Sequence, residues 1–166
     1  MASREHHIKG TGYQSPKEGH FTFRTPKAAY ALAEHLAEQC KSSHLVSMGL
    51  KELFLNAIEH GNLEIGFEEK GRLIQEDIYL EELDTRLQSP PYAQREVLLK
   101  VCRMGDSITF KIFDEGKGFD PEPFLQFSLG RISLLHGRGI ALANLACFER
   151  VSYNRAGNMV QCTTAA

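Results

Sequence analysis

The chain has 166 residues, which is long enough for one domain with a substantial hydrophobic core. Its 19 Lys and Arg residues against 21 Asp and Glu residues give a formal net charge of −2, so it lacks the basic excess that is typical of nucleic-acid-binding proteins. The sequence contains no run of about 18 apolar residues, which argues against a membrane-spanning helix.

The amino-terminal residues and the cysteines indicate an intracellular protein. The first ten residues, MASREHHIKG, lack the apolar stretch of a secretory signal peptide. Four cysteines, Cys40, Cys102, Cys147 and Cys162, are far apart and show neither a CxxC pair nor the spacing of metal ligands. Buried thiols in a reducing compartment are the simplest interpretation, and we therefore expect a cytoplasmic location.

A strand and a helix are predicted near the start of the chain. HFTFRT, residues 20–25, alternates polar and apolar positions, which is typical of a half-buried strand. Thr25 followed by Pro26 predicts the beginning of a helix, which should run to about Cys40. Residues 1–19 form an N-terminal segment that could add an edge strand to the sheet.

A second helix is predicted over about residues 44–60. Ser42 or Ser43 can cap its amino end, and Gly61 would end it. The stretch ELFLNAIEHGN belongs to this helix and combines an apolar pattern with regularly spaced polar residues.

The segment of residues 63–95 is strongly acidic and has the features of an insertion. Its apolar stripe predicts a helix that stops before Pro90 and Pro91. The leucines of that stripe are Leu73, Leu80, Leu83 and Leu87. The segment is either a solvated helical elaboration or a docking surface that selects a partner protein.

The last part of the chain predicts two hairpins separated by a helix. REVLLKVCRMGDSITFKIFDEG forms two strands around the turn at residues 104–107, and RVSYNRAGNMVQCTT forms two more around residues 156–158. HGRGIALANLACFERV lies between them and has a helical pattern. This order predicts an α+β fold: a two-layer α/β sandwich, with a mostly antiparallel mixed sheet and helices on one face, over residues 20–166.

Three polar residues of the second helix share one face. Glu52, Asn56 and His60 follow one another at intervals of four residues, so they project from successive turns. An amide oxygen such as that of Asn56 is a suitable ligand for Mg²⁺, and the carboxylate of Glu52 could accept a proton from a nucleophile. A polar stripe at the edge of the core is the alternative, in which His60 only closes the helix.

A glycine-rich loop follows the first predicted hairpin. In DEGKGFDP, Gly116 and Gly118 come directly after Asp114 at the end of a strand. Glycines allow backbone angles that other residues avoid and let the chain pass close to a ligand. An ordinary strand-to-turn connection would have the same pattern.

A second glycine motif opens the following helix. Gly137 and Gly139 flank Arg138, just before the helical pattern begins. Backbone amides at the start of a helix, next to a cation, form a phosphate-binding site. Glycines that merely start a helix are the alternative.

Taken in order, these three motifs resemble those of the GHKL ATPase superfamily. The chain matches E-x-x-x-N with a trailing HGN, then D-x-G-x-G-F after a strand, then GRGI before a helix, over about residues 20–163. The resemblance implies the Bergerat fold, a histidine-kinase-like ATP-binding domain in which the three motifs line the nucleotide pocket. It implies ATP and Mg²⁺ as cofactors.

Within the superfamily, LNAIEHGN, DEGKGFDP, HGRGI and YNRAGN are most similar to the anti-sigma-factor, RsbW-like serine protein kinases. Sensor histidine kinases generally lack glutamate at the position of Glu52 and need an upstream dimerisation domain. Gyrase-like and chaperone-like members have a longer lid than residues 119–136 and a following domain that supplies a lysine.

The resemblance implies a role for each residue of the phosphate end. Glu52 would take the proton from the substrate serine, and Asn56 would bind Mg²⁺ that bridges the ATP phosphates. Gly137 and Gly139 would offer backbone amides to the phosphates, and His60 could support the same end.

At the adenine end, the resemblance assigns Asp114 to the adenine amino group, with Gly116 and Gly118 shaping the adenine floor. Thr163 on the last strand could reach adenine through a water molecule. The lid cations that could neutralise phosphate charge are Arg131 and Arg138.

Members of this branch phosphorylate a serine of a small STAS-type anti-sigma-factor antagonist, many also bind a sigma factor, and they act as homodimers. We expect the same partners here, with neither nucleic acid nor membrane among them. One alternative is a binding module that uses ATP only to set its conformation. A histidine-kinase-type catalytic domain acting in trans is a further alternative, which Glu52 disfavours.

Overall fold

The structure, a computed structural model, describes residues 9–10, 18–122 and 139–166. In these residues, strands form one six-stranded antiparallel sheet in the order β1-β2-β3-β4-β6-β5. The strands are β1 (Lys9–Gly10), β2 (Glu18–Phe23), β3 (Val97–Met104), β4 (Ser107–Phe113), β5 (Arg150–Tyr153) and β6 (Met159–Ala165). β1 pairs with β2 at the edge of the sheet, where an edge strand was expected.

The helices vary in length and two of them continue into wider π-helical segments. The α-helices are α1 (Pro26–Ala37), α2 (Ser43–Asn56), α3 (Phe67–Gln75), α4 (Tyr79–Gln88) and α5 (Gly139–Leu142). The π-helical segment Ala57–Asn62 follows α2 directly, Ala143–Cys147 follows α5, and Tyr92–Gln94 forms a short 3₁₀ turn. Among the residues described, none of the helices is both long and apolar enough to cross a lipid bilayer.

The helices cover one face of the sheet. Burial along β2, β3, β4 and β6 accordingly alternates with the two-residue period of a pleated strand. In β3, Leu99 and Val101 are buried, whereas Lys100 between them is exposed. The register places Leu99 opposite Ile112 of β4, and Ile112 opposite Val160 of β6, so the buried face is continuous across the sheet. The α+β two-layer sandwich predicted from the sequence is therefore confirmed, with antiparallel pairing between all the described strands.

The helix start predicted at Thr25 and Pro26 is confirmed. The Thr25 hydroxyl accepts a hydrogen bond from the backbone N–H of Ala28 at 3.3 Å, and Pro26 is the first helical residue. The helix ends at Ala37 rather than near Cys40.

The second helix differs from its prediction at its carboxyl end, where the backbone widens into a π-helix. The backbone N–H of Leu63 donates to the carbonyl of Ile58, five residues earlier, at 2.8 Å. Residues after Asn56 therefore leave the regular α-helical register, and Glu59 turns into the protein, where it is 2% exposed. The helical conformation continues through Gly61 to Asn62, beyond the predicted end.

The insertion of residues 63–95 contains two helices, α3 and α4, where the sequence predicts one apolar stripe. A turn at Asp77, which has a positive φ of 58°, separates the two helices. As a result, Leu73 and Leu83 join the hydrophobic core, whereas Leu80 is 71% exposed. The prediction of a single helix was wrong because the turn divides the segment into two helices, although Leu87 of the predicted stripe also packs against the core.

Arg86 supplies one set of the polar contacts that attach this insertion to the rest of the fold. Arg86 of α4 contacts the carboxylate of Glu82 at 2.7 Å and that of Glu69 on α3. It also donates to the carbonyl of Leu63 at 2.9 Å. These contacts fix α3 and α4 to each other and to the end of the π-helical segment.

We expect Leu83→Ala to lower the free energy of unfolding by about 2–4 kcal/mol, because it removes buried methyl groups and leaves a cavity. Leu80→Ala, on the same helix but exposed to solvent, should change it by less than about 0.5 kcal/mol. Urea unfolding of the two variants measures both effects. Equal losses for the two variants would contradict the described orientation of α4.

Candidate functional site

A cavity of about 800 Å³ lies between the helix layer, the insertion and one end of the sheet. This volume falls within the usual range for a small-molecule site, about 300–1,000 Å³. The predicted site residues that line it are Glu52, Asn56, His60, Asp114, Gly118 and Gly139. Residues from all three sequence motifs therefore face one cavity, although they are far apart along the chain.

The floor of the cavity is apolar and is formed by one row of residues across the sheet. Ile112 of β4 pairs with Val160 of β6, which pairs with Tyr153 of β5, and all three line the cavity. The ring of Phe119 packs edge-on against Tyr153 with centroids 5.4 Å apart. A flat aromatic ligand could stack on such a surface.

Asp114 stands beside this floor as a hydrogen-bond acceptor. Its Oδ1 accepts the backbone N–H of Gly116 at 2.9 Å, and its own N–H donates to the carbonyl of Asn158 at 3.1 Å. Burial raises the pKa of Asp114 from 3.8 to about 6, against the opposing effects of the Gly116 N–H and the charge of Arg95. The side chain is therefore ionised at neutral pH, although it is poorly solvated.

The glycine loop lies directly against the end of the π-helical segment. A Cβ on Gly61 would lie 2.6 Å from Oδ1 of Asp114, and a Cβ on Gly116 would overlap the carbonyl oxygen of Gly61 and lie 2.8 Å from its Cα. The amide oxygen of Asn62 accepts the N–H of Glu115 at 2.7 Å. The sequence predicted Gly61 only as a helix end, so the roles of Gly61 and Asn62 in seating this loop were missed.

Gly118 also lies where a side chain cannot fit. Its φ is +79°, and a Cβ there would overlap the carbonyl group of Ala156. Gly157, with a φ of +75°, is equally close to the backbone of Phe119. The glycine loop and the turn of the last hairpin therefore interlock beside the cavity.

Glu52 lines the cavity from α2, more than two helical turns before Gly61, the residue that contacts Asp114. A Cβ on Gly139 would overlap the Glu52 carboxylate unless that side chain moved, so the first and third motifs are in contact. Burial raises the pKa of Glu52, the charge of Lys70 lowers it, and the charge of Glu59 raises it further. A half-buried carboxylate of this kind is suited to accept a proton from a ligand.

Asn56 lines the cavity one helical turn after Glu52. Among the described residues, no group of three or more His, Cys, Asp or Glu side chains could hold a metal ion. A divalent ion here would therefore depend on Asn56 together with ligand oxygens and water. This arrangement is compatible with Mg²⁺, which usually keeps several water or phosphate ligands.

The sequence left open whether His60 faces a ligand or only closes the helix, and its side chain does both. Its Nδ1 lies 2.6 Å from the carbonyl of Ile65, which can only accept, so Nδ1 carries the proton and Nε2 is left as an acceptor. Burial lowers the pKa of His60, although the Ile65 hydrogen bond opposes this effect. Burial therefore favours the neutral ring, which lines the cavity while it connects the helix end to the insertion.

A buried network next to Glu52 was missed by the sequence analysis. The Glu59 carboxylate accepts the ammonium group of Lys70 on one oxygen and the hydroxyl of Tyr79 on the other. Lys70 lines the cavity from α3. The only signal of this network in the sequence was Glu59, a charged residue between the apolar Ile58 and the helix end.

Some predicted residues are not brought to this cavity. Thr163 lies on the sheet face that points away from the helices, where its hydroxyl is 3.2 Å from that of Thr109. The predicted approach of Thr163 to adenine is therefore corrected, because Val160 and Cys162 occupy the inward positions of β6.

Gly116 lies beneath the cavity surface, against Gly61. Arg131, Gly137 and Arg138 lie outside the described residues.

A comparison of the chain with models of known protein families finds no match, and a comparison with curated proteins finds none either. The functional assignment therefore depends on the motifs and on the geometry of the cavity.

We expect the side-chain carboxyl of Asp114 to titrate near pH 6 in a carbon NMR experiment, with the signal identified by its loss in Asp114→Asn. Because the folded pKa lies above the unfolded value, the native state takes up this proton first. Wild-type stability relative to Asp114→Asn should thus rise as the pH falls from about 6 to about 4. A midpoint near the ordinary aspartate value would contradict the described burial.

Proposed function

We propose that the protein is an ATP-dependent protein-serine kinase of the anti-sigma-factor type. The observation that carries this proposal is the meeting of Glu52, Asn56, Asp114 and Gly139 around one cavity. These residues belong to the three motifs that resemble those of the GHKL ATPases, in the RsbW-like branch with the Bergerat fold.

The adenine ring would lie on the apolar floor beside Asp114. The carboxylate of Asp114 has one oxygen bound to the Gly116 N–H, and its other oxygen is available to accept the adenine amino group. Ile112 and Val160 would contact the face of the ring. This arrangement combines an apolar surface with one polar group that fixes orientation, as small-molecule sites usually do.

The phosphates would lie toward Asn56 and Glu52. Asn56 would supply one oxygen ligand to Mg²⁺, which neutralises phosphate charge when it is bound. Gly139 would offer its backbone N–H at the same end. The neutral ring of His60 could accept a hydrogen bond there through Nε2, but it would add no positive charge.

In the proposed reaction, the hydroxyl oxygen of a substrate serine attacks the γ-phosphorus of ATP. The bond between that phosphorus and the β–γ bridging oxygen breaks, ADP leaves, and the hydroxyl proton passes to Glu52. Burial of Glu52 favours this step, because it makes the carboxylate a better proton acceptor. Phosphoserine and ADP are the products.

The substrate proposed is a small STAS-type antagonist, with a sigma factor as a second partner and a homodimer as the assembly. A cytoplasmic location fits the four cysteines, which are all free thiols. A binding module that responds to ATP without chemistry is the main alternative, and the following experiment separates the two.

Glu52→Gln should reduce phosphoserine formation by about 100-fold or more, because the amide cannot accept the proton. Its affinity for ATP should stay close to that of the wild type, because the side chain keeps its size. The assay uses Mg-ATP and a STAS-domain protein from the same genome, and mass spectrometry detects the phosphoserine. Calorimetry measures the affinity.

Glu34→Gln is the matched control, because Glu34 is an exposed carboxylate paired with Lys51 at 2.7 Å and does not line the cavity. Transfer should be unchanged in this variant. Persistent transfer in Glu52→Gln would remove the base role from Glu52. ATP binding by the wild type without transfer to any STAS-domain protein would favour the binding module.

Asp114→Asn should weaken ATP binding by about 1–3 kcal/mol in calorimetry. One of the two oxygens becomes an N–H₂ group, which faces either the Gly116 N–H or the adenine amino group with donor against donor. GTP, which has an acceptor oxygen at the corresponding ring position, should lose less affinity than ATP. Unchanged ATP affinity would contradict the adenine assignment.

A further inference from the structure

The insertion supplies a cation to the cavity from outside the three motifs. Lys70 of α3 lines the cavity, and its side chain is 18% exposed. Lys117 also lines the cavity, but its side chain is 85% exposed and pairs with Glu64 at 3.3 Å. Of these two lysines, only Lys70 is held in a largely dry position.

Glu59 and Tyr79 hold the Lys70 ammonium group in place. The Glu59 side chain is 3% exposed, and Tyr79 binds the carboxylate oxygen that Lys70 does not contact. The ammonium group also lies 5.3 Å from the centroid of the Tyr79 ring. An ammonium group has three N–H donors, and the pair with Glu59 uses one of them.

Stability alone is a weak explanation for this buried pair. Removing two charges from water costs several kcal/mol per ion, and apolar residues of the same size are often as stabilising or more so. A lysine that is positioned by a buried carboxylate and faces a cavity is better explained by a ligand. The ligand would have to be an anion.

The position of Lys70 along the cavity indicates which part of the ligand it would meet. Its charge acts on Glu52 and on His60, whereas Arg95 is the charge that acts on Asp114. Lys70 therefore lies toward the end where the proposed reaction takes place. At that end the two negative charges of Glu52 and Glu59 exceed the single positive charge of Lys70. A bound phosphate chain would therefore need every available cation.

We propose that Lys70, positioned by Glu59 and Tyr79, binds the terminal phosphate of the nucleotide, so that the insertion of residues 63–95 completes the phosphate site. This proposal rests on the proposed function, since it takes ATP as the ligand of the cavity. It gives the acidic insertion a role in nucleotide binding, in addition to either role predicted from the sequence.

Lys70→Met in the full chain tests this proposal by calorimetry with ATP and with ADP in the presence of Mg²⁺. ATP affinity should fall about 10- to 100-fold, as expected for a lost charge-assisted contact. ADP affinity should fall less than about threefold, because ADP lacks the terminal phosphate. Lys111→Met is the matched control, because Lys111 is exposed on β4 and does not line the cavity, and its ratio of ATP to ADP affinity should equal that of the wild type.

A second variant separates ligand binding from folding, because Lys70→Met leaves Glu59 buried without its cation. In Glu59→Gln/Lys70→Met both charges are absent, and thermal unfolding should return close to the wild-type temperature. The selective loss of ATP affinity should persist in this double variant. Recovery of ATP affinity together with stability would overturn the proposal and leave Lys70 a structural role.

The two proposals fail in different ways. Wild-type protein that binds neither ATP nor ADP would overturn the proposed function, and the role of Lys70 with it. Wild-type protein that binds ATP, combined with an unchanged ratio of ATP to ADP affinity in Lys70→Met, would overturn only the role of Lys70.

Discussion

The close contact between the end of the π-helical segment and the glycine loop determines the geometry of the cavity. Gly61 lies against Asp114, and Gly116 lies against Gly61. A side chain at Gly116 would overlap the backbone of Gly61, and one at Gly61 would displace the Asp114 side chain. Asn62 strengthens the contact through its hydrogen bond to Glu115. This contact joins the helix layer to the end of β4. It therefore determines how Glu52 and Asp114, two carboxylates that line the cavity, are placed relative to each other.

Burial then gives the two ends of the cavity their chemical character. Asp114 and Glu52 both have pKa values raised chiefly by burial, so each carboxylate has lost part of its hydration. A ligand that brings an N–H donor to Asp114, or a proton donor to Glu52, would restore the lost interaction. The apolar floor of Ile112 and Val160 between them favours a ligand with a flat apolar centre and polar ends.

Local chemistry explains which features could be predicted from the sequence. The cap at Thr25 and the turn at Gly105, with its φ of +58°, depend on neighbouring residues and were predicted correctly. The inward turn of Glu59 depends on π-helical geometry, which the apolar pattern does not reveal. The sequence placed Thr163 on the last strand but not on a particular face, because the phase of β6 is set by its pairing with β4, and a strand shifted by one residue reverses its faces.

The insertion shows why its own role could not be predicted from its charges. Burial of Leu73 and Leu83 attaches the insertion to the core. The hydrophobic effect depends on the apolar area buried and does not by itself fix how the insertion is oriented. The orientation of the insertion is set by ion pairs. The contacts of Arg86 with Glu69 and of Lys70 with Glu59 join residues 17 and 11 positions apart along the chain. Such pairs add little net stability, but each wrong orientation would leave a poorly hydrated charge without its partner. The segment that the sequence left as either a solvated elaboration or a docking surface therefore includes Glu69, Lys70 and Arg86, whose charges orient one wall of the cavity.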